Sequence, residues 1–426
     1  MKFKNLKESI WALSEYLIGP IYIITTTPFL IKYLGIEDFG KIAFLSMVVL
    51  TGSLISSSIG TAVIKDLSFA LGLGDALKAK KTITNALVLV AFTSSITSFT
   101  LLLLGYIYNF EIFPLIGNAA LIKSLFIVGS IMMIIDQLDS IMTSALKGGS
   151  QFNKSAQFEI LFKLIQIISQ IIVVWIFSNI FYLIYTIIVN NFIKILLKFL
   201  YLRHNYNFKL NDFHYEGSQN NLRYIAWGLL LSLGALIYSV SDRFFISTFV
   251  GAAGLAAYSI ALQLAQQIHA LSSAACGVLY PRVSHIVANK EKDGWVIGSN
   301  EYIKYNFIFT TLLMLFLLLF NDILINIWLG KSSTASDVSQ LFSILLIAYW
   351  LLSNNVVPHY VLMGFNKINY VAIINFIAGI FLLVSMYYLI EIYGTMGAGY
   401  SRLFYGLVSL IIFIPYLKFI NKLKFS

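Results

Sequence analysis

A single cysteine, Cys276, stands in 426 residues. An intrachain disulfide therefore cannot form, and a metal site built on several thiolates is excluded. Charge is scarce as well: Asp, Glu, Lys and Arg make up 11% of the chain, against about 25% in a soluble domain. Most of this chain cannot face water. Enzymatic signatures are missing too. There is no G-x-x-x-x-G-K-[ST] loop to cradle a nucleotide, no H-E-x-x-H pair to hold zinc and no nucleophile elbow. The chain is therefore expected to be no enzyme and to need no cofactor or metal. Any energy for its work would come from an ion gradient, the membrane potential or downstream consumption of a product. Negative charge is the scarcer sign, with 19 acidic against 29 basic residues and a formal net charge of +10. No basic run interleaved with aromatics lies outside the apolar segments, so nucleic acid is not the expected partner.

What the chain does have is oil. Hydrophobic residues make up 59% of it, and the mean hydropathy is +0.83. About twelve runs reach the roughly 20 residues that a bilayer-crossing helix needs. They cover 8–31, 41–64, 83–108, 119–146, 156–178, 180–201, 222–247, 254–280, 302–327, 339–363, 369–391 and 396–418. The runs are continuous and lack period-two alternation, which argues against a membrane β-barrel. Backbone polar groups in lipid must be satisfied internally, so each run is expected to be α-helical. The first run resembles a signal peptide in its Lys2, Lys4 and Lys7, but Glu8 and Glu15 interrupt it, and it reads as a retained first helix.

Basic residues sort by side. With a cytoplasmic N-terminus, one side collects Lys65, Lys78, Lys80, Lys81, Lys147, Lys154, Lys198, Arg203, Lys290, Lys292, Lys367 and Lys418, among others. The opposite side shows Lys32, Lys41 and Lys331, with Arg243 and Arg402 near it. This asymmetry predicts an even number of spans with both ends cytoplasmic. The longest hydrophilic stretch, RHNYNFKLNDFHYEGSQNNLR, begins at Arg203. It divides the chain into an N-lobe at 1–202, a linker at 203–221 and a C-lobe at 222–426. Offset by roughly 216 positions, the halves show a weak repeat: Leu34-Gly35 falls on Val250-Gly251, and FLIKYLGIEDFGKIAF on FISTFVGAAGLAAYSI. The expected architecture is all-α, two six-helix lobes with a cavity between them.

Several stretches resemble the polysaccharide-transport branch of the MOP exporter superfamily. YLGIEDFGKIAF (Tyr33 to Phe44) is similar to its first outer hairpin and SSIGTAVIKDLS to the end of its second helix. DRFFISTFVGAAGLAAYSIA (Asp242 to Ala261) is similar to its seventh-helix hairpin and VLYPRVS to its eighth-helix end. INIWLG and VVPHYVLMGFNKINY are similar to its ninth- and tenth-helix signatures. Within that branch the chain looks like the O-antigen (Wzx-type) flippases. The resemblance implies a flippase in the bacterial inner membrane that works by alternating access. It would turn an oligosaccharide linked to undecaprenyl pyrophosphate from the cytoplasmic to the periplasmic leaflet, for O-antigen or capsular polysaccharide assembly. Membrane lipids, a polysaccharide polymerase and a chain-length regulator are its implied partners. A cation-coupled drug exporter of the MATE branch shares the helix count. A glycosyltransferase or polymerase would need a large outer loop, and the outer loops here are short. A scaffold without transport does not explain charges on several helices.

Moving a diphosphate and a sugar through about 30 Å of hydrocarbon calls for cations and hydroxyl-bonding groups along a wet path. Ionisable residues at membrane depth are the first candidates. Glu159, Lys163, Gln166 and Gln170 share one helical face, which serves as a cavity wall or as a polar seam with Glu159 and Lys163 paired. Asp136, Asp139 and Thr143 share another face, and an Asp139–Lys163 pair is expected. Asp136 reads as a proton or sodium site or as a partner of a neighbouring helix. Gln263, Gln266 and Gln267 form a broad polar face with His269 nearby. Substrate contacts are therefore expected from Lys163, Gln166, Gln170, Arg243, Gln263, Gln267 and Arg402. Ion coupling or a cavity acid is expected from Glu15, Asp136, Asp139 and Asp242. Asp242 and Arg243, side by side, admit two readings: an interfacial Arg with a local counter-charge, or an Arg that meets pyrophosphate while Asp242 tunes it.

Overall fold

The computed structural model describes residues 2–107, 113–208, 222–277, 279, 283, 293–331, 333–365 and 367–424. Among the described residues helices dominate and no strand occurs. They divide into two compact units, Met1–Leu222 and Arg223–Ser426.

The first unit contains α1 (Lys2–Leu34), α2 (Ile36–Gly72), α3 (Ala76–Ile107), α4 (Ala119–Gly148), α5 (Phe152–Phe177) and α6 (Ile180–Tyr206). Helix α4 packs on α2, α3 and α6, and α5 packs on α1 and α6. Val63 and Leu67 from α2, Ile83 and Leu87 from α3, and Ile141 and Leu146 from α4 form its buried core with Leu202. The ends are set locally. Asn118 accepts the Leu121 N–H at 2.9 Å to cap α4, and Asn179 accepts the Phe181 N–H at 2.8 Å to cap α6, each satisfying an amide that the first turn leaves without a partner. Helix α6 runs on through Arg203 to Tyr206, so the expected linker begins four residues later than the hydrophilic run. Residues 209–221 of that linker lie outside the described residues.

The second unit contains α7 (Leu222–Phe249), α8 (Ala252–Cys276), α9 (Asp293–Leu319), α10 (Asn321–Leu329), α11 (Ser333–Asn354), α12 (Val356–Gly364), α13 (Ile368–Tyr393), α14 (Thr395–Ser409) and α15 (Phe413–Lys424). Helix α11 is central, packing on α8, α9 and α14.

Three of the expected single runs are interrupted. The run 302–327 breaks at Phe320 between α9 and α10. The run 339–363 breaks at Asn355 between α11 and α12. The run 396–418 passes through a 3₁₀ turn, Leu410–Ile412, between α14 and α15. Proline explains the last two. Pro358 and Pro415 have no N–H to give the carbonyls four residues earlier, at Asn354 and Ile411. Side chains serve the opened backbone: Asn306 Nδ2 and Ser272 Oγ both donate to the Ser353 carbonyl, at 2.9 and 3.2 Å. Asn355 Nδ2 donates to Ser409 Oγ at 2.5 Å, tying one break to the other.

Glycine sets the matching hairpins. Gly35 alone joins α1 to α2 with φ +86°, and Gly251 joins α7 to α8 with φ +101°. Both conformations disfavour a side chain. The two positions are those that the half-chain offset superposes.

Nine helices among the described residues are long and apolar enough to cross a membrane. The expected runs 41–64, 222–247 and 254–280 fall in α2, α7 and α8, outside those nine; α8 is rich in Ala, Gln and Ser. Large apolar side chains such as Phe92, Phe99, Ile168, Phe192 and Phe381 are exposed, as expected of surfaces that face acyl chains. The chain is a multi-pass membrane protein.

Candidate functional site

In the first unit, four charges on three helices meet in one cluster. Lys198 on α6 has a fully buried side chain and donates to Asp139 on α4 at 2.6 Å, Glu159 on α5 at 2.6 Å and the Thr143 hydroxyl at 2.8 Å. Lys194, one turn earlier on α6, pairs with Asp139 at 2.7 Å and with Glu159 at 3.3 Å. Each carboxylate thus bridges two ammonium groups, and the four charges cancel. Such closure is what makes burial tolerable, since an uncompensated charge in this environment costs several kcal/mol.

The expected Asp139–Lys163 pair does not form, and neither does the alternative Glu159–Lys163 pair. Both carboxylates are held by α6. Lys198, counted with the cytoplasmic-side cations, lies within α6 with its side chain buried against Asp139 and Glu159 rather than in a loop. Lys163 instead places its ammonium 4.1 Å from the centre of the Tyr22 ring on α1. The Tyr22 hydroxyl donates to Gln170 Oε1 at 2.9 Å. Gln170 is fully buried, with its Nε2 unpartnered, and Gln166 is buried beside it. The α5 stripe therefore faces α1, with Lys163 half-buried at its edge. Asp136 is exposed one turn from Asp139, with no ion pair among the described residues. Glu15 is paired with Lys147 at 2.9 Å, joining α1 to α4. The side chain of Glu8 lies outside the described residues.

In the second unit, Asp242 on α7 and Arg402 on α14 form a buried ion pair at 2.5 Å. Asp242 Oδ2 also accepts the Tyr258 hydroxyl at 2.8 Å, and Oδ1 accepts the Arg243 backbone N–H at 2.8 Å. Arg402 donates to Tyr349 Oη at 2.7 Å and to the Tyr238 carbonyl at 3.0 Å, and its guanidinium lies 4.3 Å from the Tyr238 ring centre. Every face of that guanidinium is engaged. Arg243 is different. It is 9% exposed, and its Nε and Nη1 are buried without a hydrogen-bond partner. The one carboxylate at this place is paired with Arg402, and the Arg243 guanidinium forms no ion pair among the described residues. Asp242 is seven residues from the end of α7 and Arg402 seven from the start of α14, about 10 Å along each axis.

Helix α8 presents Gln263, Gln266, Gln267 and His269 as half-buried side chains, with Ala265, Ile268 and Ser272 on its packed face. Gln267 Nε2 donates to the Gln263 carbonyl at 2.8 Å. No group of three or more His, Cys, Asp or Glu side chains is placed to hold a metal among the described residues.

Lys194, Tyr22, Tyr258 and Tyr349 were not singled out by sequence reasoning. Lys194 and Lys198 carried a readable signal, two cations at i and i+4 inside an apolar run. The tyrosines carried none, because 25 of them are scattered along the chain.

A family model described as "Polysaccharide biosynthesis protein" matches residues 29–336. The chain belongs to this family. Among curated relatives of this polysaccharide biosynthesis protein is the "Putative O-antigen transporter" of Shigella flexneri, 22% identical over 398 residues, with 93% of each chain covered. Another is the "Uncharacterized membrane protein EpsK" of Bacillus subtilis (strain 168), 21% identical, covering 86% of this chain and 73% of that one. Among solved structures, a multidrug resistance MATE family transporter of the MOP superfamily in an inward-facing conformation superposes with a TM-score of 0.79. It is 15% identical, and 98% of this chain and 99% of that one are covered. The lipid II flippase MurJ in an inward closed conformation superposes with a TM-score of 0.72 at 13% identity, covering 97% and 87%. These likenesses show that this polysaccharide biosynthesis protein has the MOP fold. It is a multi-pass membrane protein of the polysaccharide-biosynthesis family.

Proposed function

We propose that this protein is a transporter that moves an oligosaccharide carried on a polyprenyl diphosphate from the cytoplasmic to the outer leaflet of the bacterial cytoplasmic membrane, by alternating access, with both chain ends in the cytoplasm. The observation that carries the reading is Arg243. A guanidinium nine-tenths withdrawn from water, with Nε and Nη1 unpartnered, is costly until an anion meets it. Its planar fork matches the oxygens of a phosphate. Arg402 and Asp242 act behind it: Arg402 occupies the carboxylate that would otherwise neutralise Arg243. In the first unit Lys163 on α5 forms no ion pair with a carboxylate among the described residues, and Gln166 and Gln170 stand along the same helix. On α8, Gln263 and Gln267 supply amides suited to sugar hydroxyls. Asp136, exposed at membrane depth, is the candidate for a coupling proton or sodium ion, because an ionised carboxylate facing acyl chains is expensive and one facing water is not.

A drug exporter would seat cationic cargo, which an unneutralised Arg243 repels. A polymerase and a chain-length regulator in the same membrane would consume the product.

The test is deletion of the gene, followed by an inventory of polyprenyl-linked saccharides on each membrane face. Accumulation of the complete repeat unit on the cytoplasmic face is expected. Unchanged lipid-linked saccharide with altered drug uptake would overturn the reading.

A further inference from the structure

Helix α5 carries Glu159 four residues before Lys163, the order and spacing at which a carboxylate and an ammonium pair on a helix surface. They do not pair here. Glu159 Oε1 is taken by Lys198 at 2.6 Å and Oε2 by Lys194 at 3.3 Å. Asp139 on α4 is taken by the same two lysines at 2.6 and 2.7 Å, and Asp136, one turn away on α4 and exposed, forms no ion pair with Lys163 among the described residues. Lys163 is left over the Tyr22 ring, 4.1 Å from its centre, with no ion pair or hydrogen bond among the described residues. An aromatic face holds an ammonium without neutralising it.

We propose that Lys194 and Lys198 are positioning residues: by saturating Asp139 and Glu159 they keep Lys163 free to bind the anionic phosphates of the transported lipid. The inference rests on the reading of the protein as a carrier of a diphosphate lipid, and it assigns the α6 lysines a part in that reading. Charge balance makes the arrangement specific. Two carboxylates and two α6 ammonium groups close into a neutral set, which leaves Lys163 and Asp136 outside it and not paired with each other. Removing the α6 lysines leaves Asp139 and Glu159 without their partners, and Glu159 then captures Lys163 four residues along its own helix. Lys194 and Lys198 touch no ligand in this scheme, and their loss acts through Lys163.

The test uses the full chain in detergent with farnesyl diphosphate as probe, titrated calorimetrically, with thermal unfolding as the folding control. Lys163→Met is expected to weaken binding about tenfold or more, the worth of a charge-assisted hydrogen bond. No effect of that variant would refute Lys163 as a phosphate ligand, and with it the part of the proposed function placed on α5. Lys194→Met/Lys198→Met is expected to weaken binding by a similar factor although Lys163 is intact. Adding Asp139→Asn and Glu159→Gln to the two lysine changes removes the competing carboxylates and is expected to restore wild-type affinity. Replacing a whole buried ionic set is tolerated better than breaking it, so the fourfold variant remains informative where the double variant fails to fold. Loss of binding in the folded fourfold variant while Lys163→Met also loses it would mean that the α6 lysines contact the phosphates themselves, and would overturn the positioning role. Wild-type binding in the folded double variant would overturn it too.

Discussion

Asp242 and Arg402, 160 residues apart in the chain, meet at 2.5 Å in the interior of the second unit, with Tyr258 and Tyr349 closing the remaining contacts. The pair ties α7 to α14 and removes from Arg243 the carboxylate beside it in sequence. Asp242→Ala leaves Arg402 buried without its counter-ion and is expected to cost about 3–5 kcal/mol. Asp242→Leu/Arg402→Leu together should cost much less, since the whole pair is gone. Thermal unfolding of the purified protein in detergent measures both, and equal losses would show that the pair is not the source of the effect.

The hairpin glycines make a second prediction. Gly35 and Gly251 hold φ of +86° and +101° with no room for a longer turn between the helices they join. An alanine in a left-handed conformation costs about 1–2 kcal/mol. Gly35→Ala and Gly251→Ala should each lower the unfolding temperature. Gly234→Ala, inside α7 with the added methyl no nearer than 3.5 Å to its neighbours, should not lower it, because alanine is the better helix former.

A third prediction concerns the two proline-broken helices. Among the described residues the Asn355 amide nitrogen donates to Ser409 Oγ alone, at 2.5 Å, and the amide oxygen is already buried and unpartnered. Ser409→Ala leaves that nitrogen unpaired, and the expected cost is about 1–3 kcal/mol. Hydrogen exchange should report it as faster exchange in α12 and α15, with α8 unchanged. Uniform acceleration across the second unit would contradict a local role for this bond.

The outline of the fold was legible because hydropathy alone forces a membrane chain into helices. The hairpin repeat was legible in Gly35 and Gly251. The breaks at Asn355 and at Leu410–Ile412 were less so. Pro358 and Pro415 signal them, yet Pro20 and Pro28 lie inside an unbroken α1, so proline by itself does not decide. Charge partners were the least legible feature. Spacing along one helix favoured Glu159 with Lys163, while the structure gives Glu159 to α6, a choice that depends on how α4, α5 and α6 pack. Arg402 and Arg243 both read as candidate phosphate ligands. Only the geometry separates the saturated guanidinium from the one with unpartnered nitrogens.

The most direct measurement is translocation of a polyprenyl-diphosphate-linked oligosaccharide across liposomes that contain the purified protein, comparing wild type with Arg243→Gln. The variant keeps the Asp242–Arg402 pair and should unfold at a temperature equal to or above that of the wild type, because it removes an uncompensated buried charge. Its transport rate should fall about tenfold or more, the worth of one charge-assisted contact to phosphate. A well-folded Arg243→Gln protein that moves the lipid at the wild-type rate would contradict the assignment of the Arg243 guanidinium to the diphosphate.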